Sequence, residues 1–407
     1  ISPVLYGPDM IRDPVAYETR LGWTINGDLD YNVDSRMASS NLMFLASLRT
    51  GPVENRDLLE AMEKFRSVEE LGVRCQVEGF LSREDRKMIK VMEENTRLEE
   101  GRVRLPMLWN PKKKAELKEL PDSLPMAERR LKSFERVLKK PGNEVLREKF
   151  NEGIHGDVEK GYVRKLGKEE ADDLKTSKGW RWFLPIFAAC HPDKPHKPRR
   201  VYDAAAEVSG MSLNDLLLPG PNLLTSIMGL LTRFRAGECG VSADVEAMFS
   251  QVMVEQEDEK MMAFLWRDME ESREPDVYVS VRHMFGATSS PTCSNFALRY
   301  AGKLGDTKYP GVSEVVQRQF YVDDFYVSRD TEEQASSVAT QVCEVLRDGG
   351  FKLTKWIANR KNMLAQFPEE ERNPGVKDLK VEVLPEDKAL GLKWSCEDDF
   401  FFSKTRR

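Results

Sequence analysis

Several common features are missing from this chain of 407 residues. It has no run of about 18 apolar residues, so no transmembrane span is predicted. No basic and apolar leader follows Ile1, so the sequence predicts neither a signal peptide nor a native start. The six cysteines include no CxxC pair. That spacing is typical of free thiols in a reducing compartment, and not of a disulfide framework or a zinc site.

A surplus of basic charge is also missing, since the formal net charge is −6 and the sequence pI is about 5.6. This argues mildly against a nucleic-acid-binding protein, whose surface is usually basic, although a local patch matters more than the sum. The histidines lack metal-ligand spacing and are assigned no chemistry. Hydrophobic residues make up 40% and charged residues 32%, which predicts a soluble protein of two or three domains.

Three stretches of the chain differ in composition. Residues 1–30 are rich in Gly and Pro and predict strands and turns too short to fold alone. Residues 31–175 are charged and mostly helical, with a capping-box pattern at Ser82 and Asp85. The simplest interpretation of this second stretch is a solvated helical connector. From residue 176 to 407 strand and helix patterns alternate, and we expect the main folded domain there.

The order of the patterns in the third stretch predicts a particular topology. A strand over 240–245 is followed by a helix that begins at Ser290-Pro291. Residues 318–329 predict a strand, a turn and a strand, with Val322 before the turn. A second helix begins at Thr331, stops at Gly349 and leads to a strand over 351–356. The sequence therefore predicts an α+β fold with a ferredoxin-like split βαβ arrangement.

Acidic residues meet at the predicted hairpin, which reads Tyr321-Val322-Asp323-Asp324. Like charges in a half-buried place repel each other, and a divalent cation is a common remedy. Because the first strand of a split βαβ unit lies beside the central hairpin, Asp244 is expected near Asp323. Two metal ions could then clamp the oxygens of a phosphoryl transfer. Taken alone, adjacent acids in a hairpin are more often a plain turn.

Tyr-Val-Asp-Asp in a hairpin resembles the best-known signature of reverse transcriptases. Other segments resemble the motifs of these enzymes in the expected order. They are the fingers motif at 199–203, the first palm motif at 244–249, the motif packing on nucleotide and template at 285–291, the next motif at 350–356, and the primer grip at 390–394.

The linking segments are similar to the BEL/Pao group of long-terminal-repeat retrotransposons, at residues 212–215, 220–224, 233–235 and 264–267. The resemblance implies reverse transcriptase fingers and palm over 176–407. It also implies that residues 1–30 are the C-terminal remnant of a retropepsin-like protease domain, although no Asp-Thr/Ser-Gly motif occurs. The thumb, RNase H and integrase of such polyproteins are expected to be absent. Phe285 stands where several retroviral enzymes carry Gln, but an aromatic residue is usual in these retrotransposons.

The resemblance also implies roles for individual residues. Arg199 would bind the triphosphate with help from Lys197, and Phe249 would crowd the sugar 2′ position. Lys355 would protonate the leaving pyrophosphate. The alternatives are a solvated loop, a core phenylalanine and an exposed strand lysine. The remaining assignments are substrate binding by Phe285, Gly286 and Tyr321, metal binding by Asp244, Val245, Asp323 and Asp324, and a primer grip of Gly391, Lys393 and Trp394, where a buried Trp394 is the alternative.

The resemblance therefore implies an RNA-directed DNA polymerase that uses two Mg²⁺ ions, for which Mn²⁺ could substitute. Its partners would be an RNA or DNA template with primer, dNTPs and the rest of the retroelement polyprotein, with no membrane. The expected location is cytoplasmic retroelement particles, with the nucleus as an alternative. The rival hypothesis is a decayed or domesticated fragment that only binds nucleic acid or a partner. A protease is excluded because its catalytic Asp motif does not occur.

Overall fold

The computed structural model describes residues 3–5, 15–19, 22–26, 82–113, 116–191, 194–379, 384–390 and 392–402. They fall into two compact units, Ile1–Cys75 and Gln76–Arg407. In the first unit, β1 (Pro3–Leu5), β2 (Val15–Thr19) and β3 (Gly22–Asn26) form an antiparallel sheet in chain order. Strands were predicted here, and their assignment to a protease stays a prediction.

The second unit contains the remaining helices and strands. Its first half contains α1 (Arg83–Asn95), β4 (Arg97–Glu99), β5 (Arg102–Arg104), α2 (Leu124–Leu138), α3 (Glu144–Glu159), β6 (Val163–Lys165), α4 (Lys168–Thr176), β7 (Phe183–Leu184), β8 (Ile186–His191) and β9 (Lys194–Tyr202). Its second half contains α5 (Ile227–Phe234), β10 (Cys239–Val245), α6 (Gln256–Glu259), β11 (Ala263–Trp266), β12 (Asp276–Ser280), α7 (Ser290–Gly305), α8 (Val312–Arg318), β13 (Phe320–Tyr321), β14 (Asp324–Arg329), α9 (Glu332–Asp348), β15 (Leu353–Ala358), α10 (Lys361–Leu364), β16 (Glu386–Ala389), β17 (Leu392–Ser395) and β18 (Phe400–Phe402).

A four-stranded antiparallel sheet in the order β13-β14-β10-β15, here called the palm sheet, confirms the predicted α+β fold. With α7 and α9 inserted between its strands, this is the split βαβ topology. Alternation along β10 puts Val241, Ala243 and Val245 into the hydrophobic core, and directs Ser242 and Asp244 to the opposite face. The site is therefore built on a rigid, buried strand.

The helix termini follow local chemistry. Ser82 and Asp85 form the predicted reciprocal capping box at α1. The Thr331 hydroxyl accepts from the Gln334 amide at the start of α9, and Gly349 caps its end. At α7 the N-cap is Ser289, one residue before the predicted Ser290. These local hydrogen bonds fix the ends of the helices that carry the palm sheet.

A second sheet in the order β6-β12-β11-β7, here called the fingers sheet, lies in a separate hydrophobic cluster. Helix α2 packs on β7 and β11, and α3 packs on β6 and β9. The rings of Phe134, Phe150 and Trp266 meet with centroids 4.9–6.4 Å apart. The described residues of the predicted connector, 82–175, thus belong to the same compact unit as the residues after 175. The predicted solvated connector and the predicted boundary at 175 do not hold for them, because sparse aromatic residues among the charges are buried.

The four cysteines whose side chains are described, Cys239, Cys293, Cys343 and Cys396, are free and buried. Among the described residues, no helix combines the length and the apolar character that crossing a bilayer requires. Strands β16, β17 and β18 form a small antiparallel sheet after the palm.

Candidate active site

Two of the candidate carboxylates lie directly opposite each other on neighbouring strands. Asp244 near the end of β10 is the Cα partner of Asp324, the first residue of β14. Antiparallel partners project to the same face of a sheet. The Val245 amide donates to the Asp323 carbonyl at 2.8 Å, which ties the hairpin turn to the end of β10. The structure therefore brings the three predicted acids to one edge of the palm sheet.

The hairpin turn itself differs from the prediction. Strand β13 ends at Tyr321, and Val322 lies in the turn with φ +54° and not on the strand. Tyr321 pairs with Asp324, so Val322 and Asp323 form a two-residue turn. A β-branched residue at positive φ is an outlier, because its side chain crowds the backbone. The sequence gives no local signal for this conformation.

Burial and mutual repulsion raise the pKa of two of the acids. Burial raises the pKa of Asp323, and the charge of Asp244 raises it further, while Lys355 and Arg199 oppose the shift. Burial raises the pKa of Asp324 to about 7, helped by Asp323, Asp244 and Asp387. Burial and the neighbouring carboxylates thus disfavour the ionised form of both acids unless a cation is bound.

Lys355 is the cation nearest to these acids. Its Nζ donates to Asp244 Oδ2 at 2.7 Å, and its side chain is 58% exposed. Lys355 has φ +57°, at the irregularity where the β10–β15 register shifts. The resulting bulge aims an interior strand residue at the acidic edge.

The residues present fit a divalent cation by their chemistry. Mg²⁺ prefers carboxylate oxygens and keeps room for phosphate ligands. In the described part of the chain, no three His, Cys, Asp or Glu side chains are already arranged as a complete metal site. A site that borrows ligands from substrate phosphates does not require such an arrangement. The raised pKa values of Asp323 and Asp324 indicate charge that a cation would neutralise.

One aromatic pair includes Phe249, which follows Asp244 by five residues. Phe249, in a 3-10 turn after β10, packs edge-on against Phe285 with ring centroids 4.5 Å apart. Phe249 is half-buried and Phe285 is 57% exposed. Phe249 is thus not the fully buried core residue that was its alternative. The two rings together form a partly exposed aromatic surface.

The turn at Phe285 is held by a residue whose role the sequence did not predict. The Asn214 amide donates to the Gly286 carbonyl at 3.0 Å, and its oxygen accepts from the Thr288 amide at 2.9 Å. Gly286 has φ +112°, and an added Cβ would lie 2.0 Å from the Tyr202 carbonyl oxygen. The glycine is required by conformation and by space. The available signal for Asn214 was its position in the segment 212–215, which had been read only as linking sequence.

The two adjacent arginines of β9 have different surroundings. Arg199 is exposed, and its charge acts on Asp323. Arg200 forms an ion pair with Asp157 of α3. The structure therefore separates the predicted basic cluster into one arginine facing the acids and one facing the fingers. The side chain of Lys197 lies outside the described residues.

The predicted primer grip is brought only partly to the surface. Trp394 is fully buried, donates to Asp399 Oδ1 at 3.0 Å and packs on Phe234 with centroids 4.9 Å apart. Its ring is therefore unavailable to a primer, which corrects the predicted contact in favour of the buried alternative. Lys393 pairs with Glu386, and Gly391 lies outside the described residues.

Residues 207–356 match the family model described as reverse transcriptase (RNA-dependent DNA polymerase). The chain contains a reverse transcriptase domain. The model is that of an RNA-dependent DNA polymerase, an enzyme of the nucleotidyltransferase class, and its match spans 150 of the 407 residues. The matched region contains the three acids, Lys355 and the aromatic pair, whereas Arg199 and the primer-grip residues lie outside it.

Two solved structures are similar to this chain. One is a foamy viral protease-reverse transcriptase in complex with double-stranded DNA, 18% identical with a TM-score of 0.39, covering 61% of this chain and 33% of its own. The other is a foamy viral protease-reverse transcriptase in complex with an RNA/DNA hybrid, 17% identical with a TM-score of 0.40, covering 62% of this chain and 26% of its own. This chain thus spans a third or less of those proteins. No curated protein matches it.

Proposed function

We propose that this chain is the fingers-and-palm part of a reverse transcriptase from a BEL/Pao-type long-terminal-repeat retrotransposon. Its reaction adds a deoxynucleotide to a primer 3′-hydroxyl, as directed by an RNA or DNA template. The observation that carries the proposal is the direct pairing of Asp244 with Asp324, with Asp323 tied beside them. The linking segments described above favour the BEL/Pao type.

Asp244, Asp323 and Asp324, with Val245 beside them, would hold two Mg²⁺ ions, for which Mn²⁺ could substitute. Bound divalent cations would supply charge neutralisation at the triphosphate and acidify the primer hydroxyl. The chain's own contribution is to hold repelling carboxylates together on a rigid sheet, so that no reorganisation is needed during the reaction.

Two cations of the chain serve the triphosphate in this proposal. Arg199 is exposed and close enough to influence Asp323, and its forked guanidinium suits phosphate oxygens. Lys355 carries three donor protons 2.7 Å from Asp244. Because its side chain is 58% exposed, it can turn from Asp244 towards a leaving pyrophosphate and donate a proton.

The aromatic pair would select the sugar. Phe249 follows Asp244 by five residues, is partly exposed and packs against the ring of Phe285. A ring at this point would clash with a ribose 2′-hydroxyl and tolerate deoxyribose, which is selection by exclusion.

The proposed partners are a primer–template, dNTPs and the rest of a retroelement polyprotein. The proposed location is cytoplasmic retroelement particles, with the nucleus as an alternative. Both statements rest on the retrotransposon-like segments of the sequence.

Single-nucleotide primer extension in Mg²⁺ tests the proposed function. Asp244→Asn and Asp323→Asn should each abolish extension, because each removes charge that holds the metals, whereas Asp324→Asn keeps some activity. Asp330→Asn, in the exposed loop after the other end of β14, is the matched control and should retain full activity. Normal extension by the Asp244 or Asp323 variant contradicts the assignment. A parent chain that binds primer–template without extending it supports the decayed fragment instead.

A further inference from the structure

The fingers hairpin formed by β8 and β9 needs an anchor outside its own backbone. Its two strands form a sheet by themselves, without backbone pairing to the palm or fingers sheet. A two-stranded hairpin is marginally stable alone. Its orientation therefore depends on side-chain contacts, and most of these connect β9 to α3.

Arg200 supplies the charged contact between β9 and α3. Its guanidinium pairs with the Asp157 carboxylate, and the two side chains are 23% and 19% exposed. Tyr202 lies two residues after Arg200, on the same face of the strand, and burial raises the pKa of its hydroxyl to about 12. Removing one partner of a partly buried ion pair lowers stability strongly, because the remaining charge is left without a counter-charge.

Gly153 makes room for that guanidinium. It lies one turn before Asp157 on α3, on the same face of the helix. A Cβ at this position would lie 1.8 Å from Arg200 Nη1 and 3.0 Å from its Cζ. The glycine therefore gives space and the aspartate gives charge, and together they form a seat for Arg200.

Because side chains alternate along β9, fixing Arg200 also fixes the direction of the neighbouring Arg199. Successive strand residues point to opposite faces, so a strand held by Arg200 on α3 presents Arg199 on the other side. Arg199 is exposed there and its charge acts on Asp323.

We propose that Gly153, Asp157 and Arg200 form a latch that positions Arg199 for the nucleotide triphosphate. They are positioning residues, since none of them touches the substrate. The inference rests on the role proposed for Arg199 and adds the device that aims it. All three residues act on the same property, the direction in which the Arg199 guanidinium points.

Two substitutions test the latch in opposite structural ways. Asp157→Asn removes the charge. Gly153→Ala keeps both charges, displaces the guanidinium and favours the helix, because alanine is the better helix former. Each should lower kcat/KM for dNTP by about tenfold or more, since a misplacement of about 1 Å can cost about a hundredfold, and primer–template affinity should not change. Glu152→Gln is the control, since Glu152 pairs with Lys149 on the same helix and should leave the kinetics unchanged.

The decisive experiment is a double-mutant cycle that combines Asp157→Asn with Arg199→Ala. If the latch acts through Arg199, Asp157→Asn should cost nothing further in the Arg199→Ala background. Multiplicative losses would overturn the proposal, as would a Gly153→Ala chain with parental kinetics.

Hydrogen exchange of the hairpin amides at 186–202 gives a second readout that needs no polymerase activity. Exchange should accelerate in Asp157→Asn and Gly153→Ala but not in Glu152→Gln. Unchanged exchange in both overturns the latch. A parent chain that fails to extend primers refutes the proposed function, and the exchange result still decides whether the latch exists.

Discussion

Three residues around the acids hold left-handed backbone torsions although none is glycine. They are Ala247 after β10, Val322 in the hairpin turn and Lys355 in β15, with φ of +48°, +54° and +57°. Each such conformation costs about 1–3 kcal/mol and persists only where the surroundings impose it. The strain lies after β10, in the hairpin turn and at the bulge within β15, on the strands that carry and adjoin the acids, which supports a functional assignment for this edge.

At Phe249 we expect sugar selection to depend on the ring. Phe249→Val should raise ribonucleotide use by about tenfold or more relative to dNTP, because only steric exclusion is lost. The ratio of kcat/KM values for dTTP and UTP measures this. Phe249→Tyr keeps the ring and serves as the control. Equal discrimination in parent and Phe249→Val would show that another residue selects the sugar.

At the scale of elements, the turn that carries Phe285 depends on one side chain. Asn214→Ala removes both hydrogen bonds to that turn and leaves backbone groups to be satisfied by water. The free energy of unfolding should fall by about 1–3 kcal/mol, and the dNTP KM should rise. Asn214→Asp keeps the acceptor for Thr288 and should lose less. Denaturant titration that finds all three chains equal would remove Asn214 from the account.

Helix α6 is joined to the segment near residue 107 by a buried carboxylate. Asp258 accepts from the Met107 amide and the Trp109 indole, both at 2.8 Å. Burial raises its pKa to about 6, so the folded chain holds this proton more tightly than the unfolded chain does. Its stabilising contribution is therefore present below about pH 4 and is lost as pH rises through about 6.

Asp258→Asn should remove that pH dependence. Between pH 4 and pH 7.5 the parent should lose roughly 2–3 kcal/mol of unfolding free energy relative to the variant. The variant should be less stable at low pH, because an amide accepts only one of the two bonds well. The difference between the two unfolding curves isolates Asp258 from other titrating groups, such as His283. A constant difference across this range contradicts the prediction.

Local patterns were enough to predict the palm elements. Strand order followed from the alternation of periodicities, and the caps at Ser82 and Thr331 followed from residues three positions apart. Asp244 is predicted near Asp323 because a split βαβ unit permits few arrangements, and the structure pairs Asp244 with Asp324 and holds the Asp323 carbonyl beside the end of β10. These predictions depend on short-range chemistry and on topology.

Long-range packing was not predictable in the same way. Charged surroundings hid Phe134 and Phe150, which were assigned to a connector and belong to the fingers core. Trp394 is predicted to contact the primer, but its ring is buried against Phe234. The roles of Asn214 and Gly153 depend on partners more than 40 residues away in sequence. The spacing of apolar residues along the sequence gives no information about such distant partners.

At the scale of the whole molecule, charge limits the grip on a duplex. The net charge is −6, and two of the three consecutive lysines at 112–114 are paired within the chain, Lys112 with Glu84 at 2.8 Å and Lys113 with Glu116 at 3.3 Å. Binding a duplex at physiological salt requires several phosphates to be neutralised. This chain by itself should therefore be a distributive polymerase.

The number of nucleotides added per binding event is measured as product length in the presence of a heparin trap. The chain alone should release primer–template after few additions. Adding the thumb and RNase H segment of a retroelement polyprotein should lengthen the products and steepen the salt dependence of binding. Long single-encounter products from the chain alone would show that the fingers and palm grip the duplex unaided.

The most direct test of the central claim is templated addition on RNA. A DNA primer is annealed to an RNA template whose next base is adenine, and each dNTP is offered singly with Mg²⁺. We predict that dTTP alone is added efficiently by the parent chain, and that Asp323→Asn adds none. Addition of all four nucleotides at similar rates, or of none by the parent chain, would contradict an RNA-directed DNA polymerase.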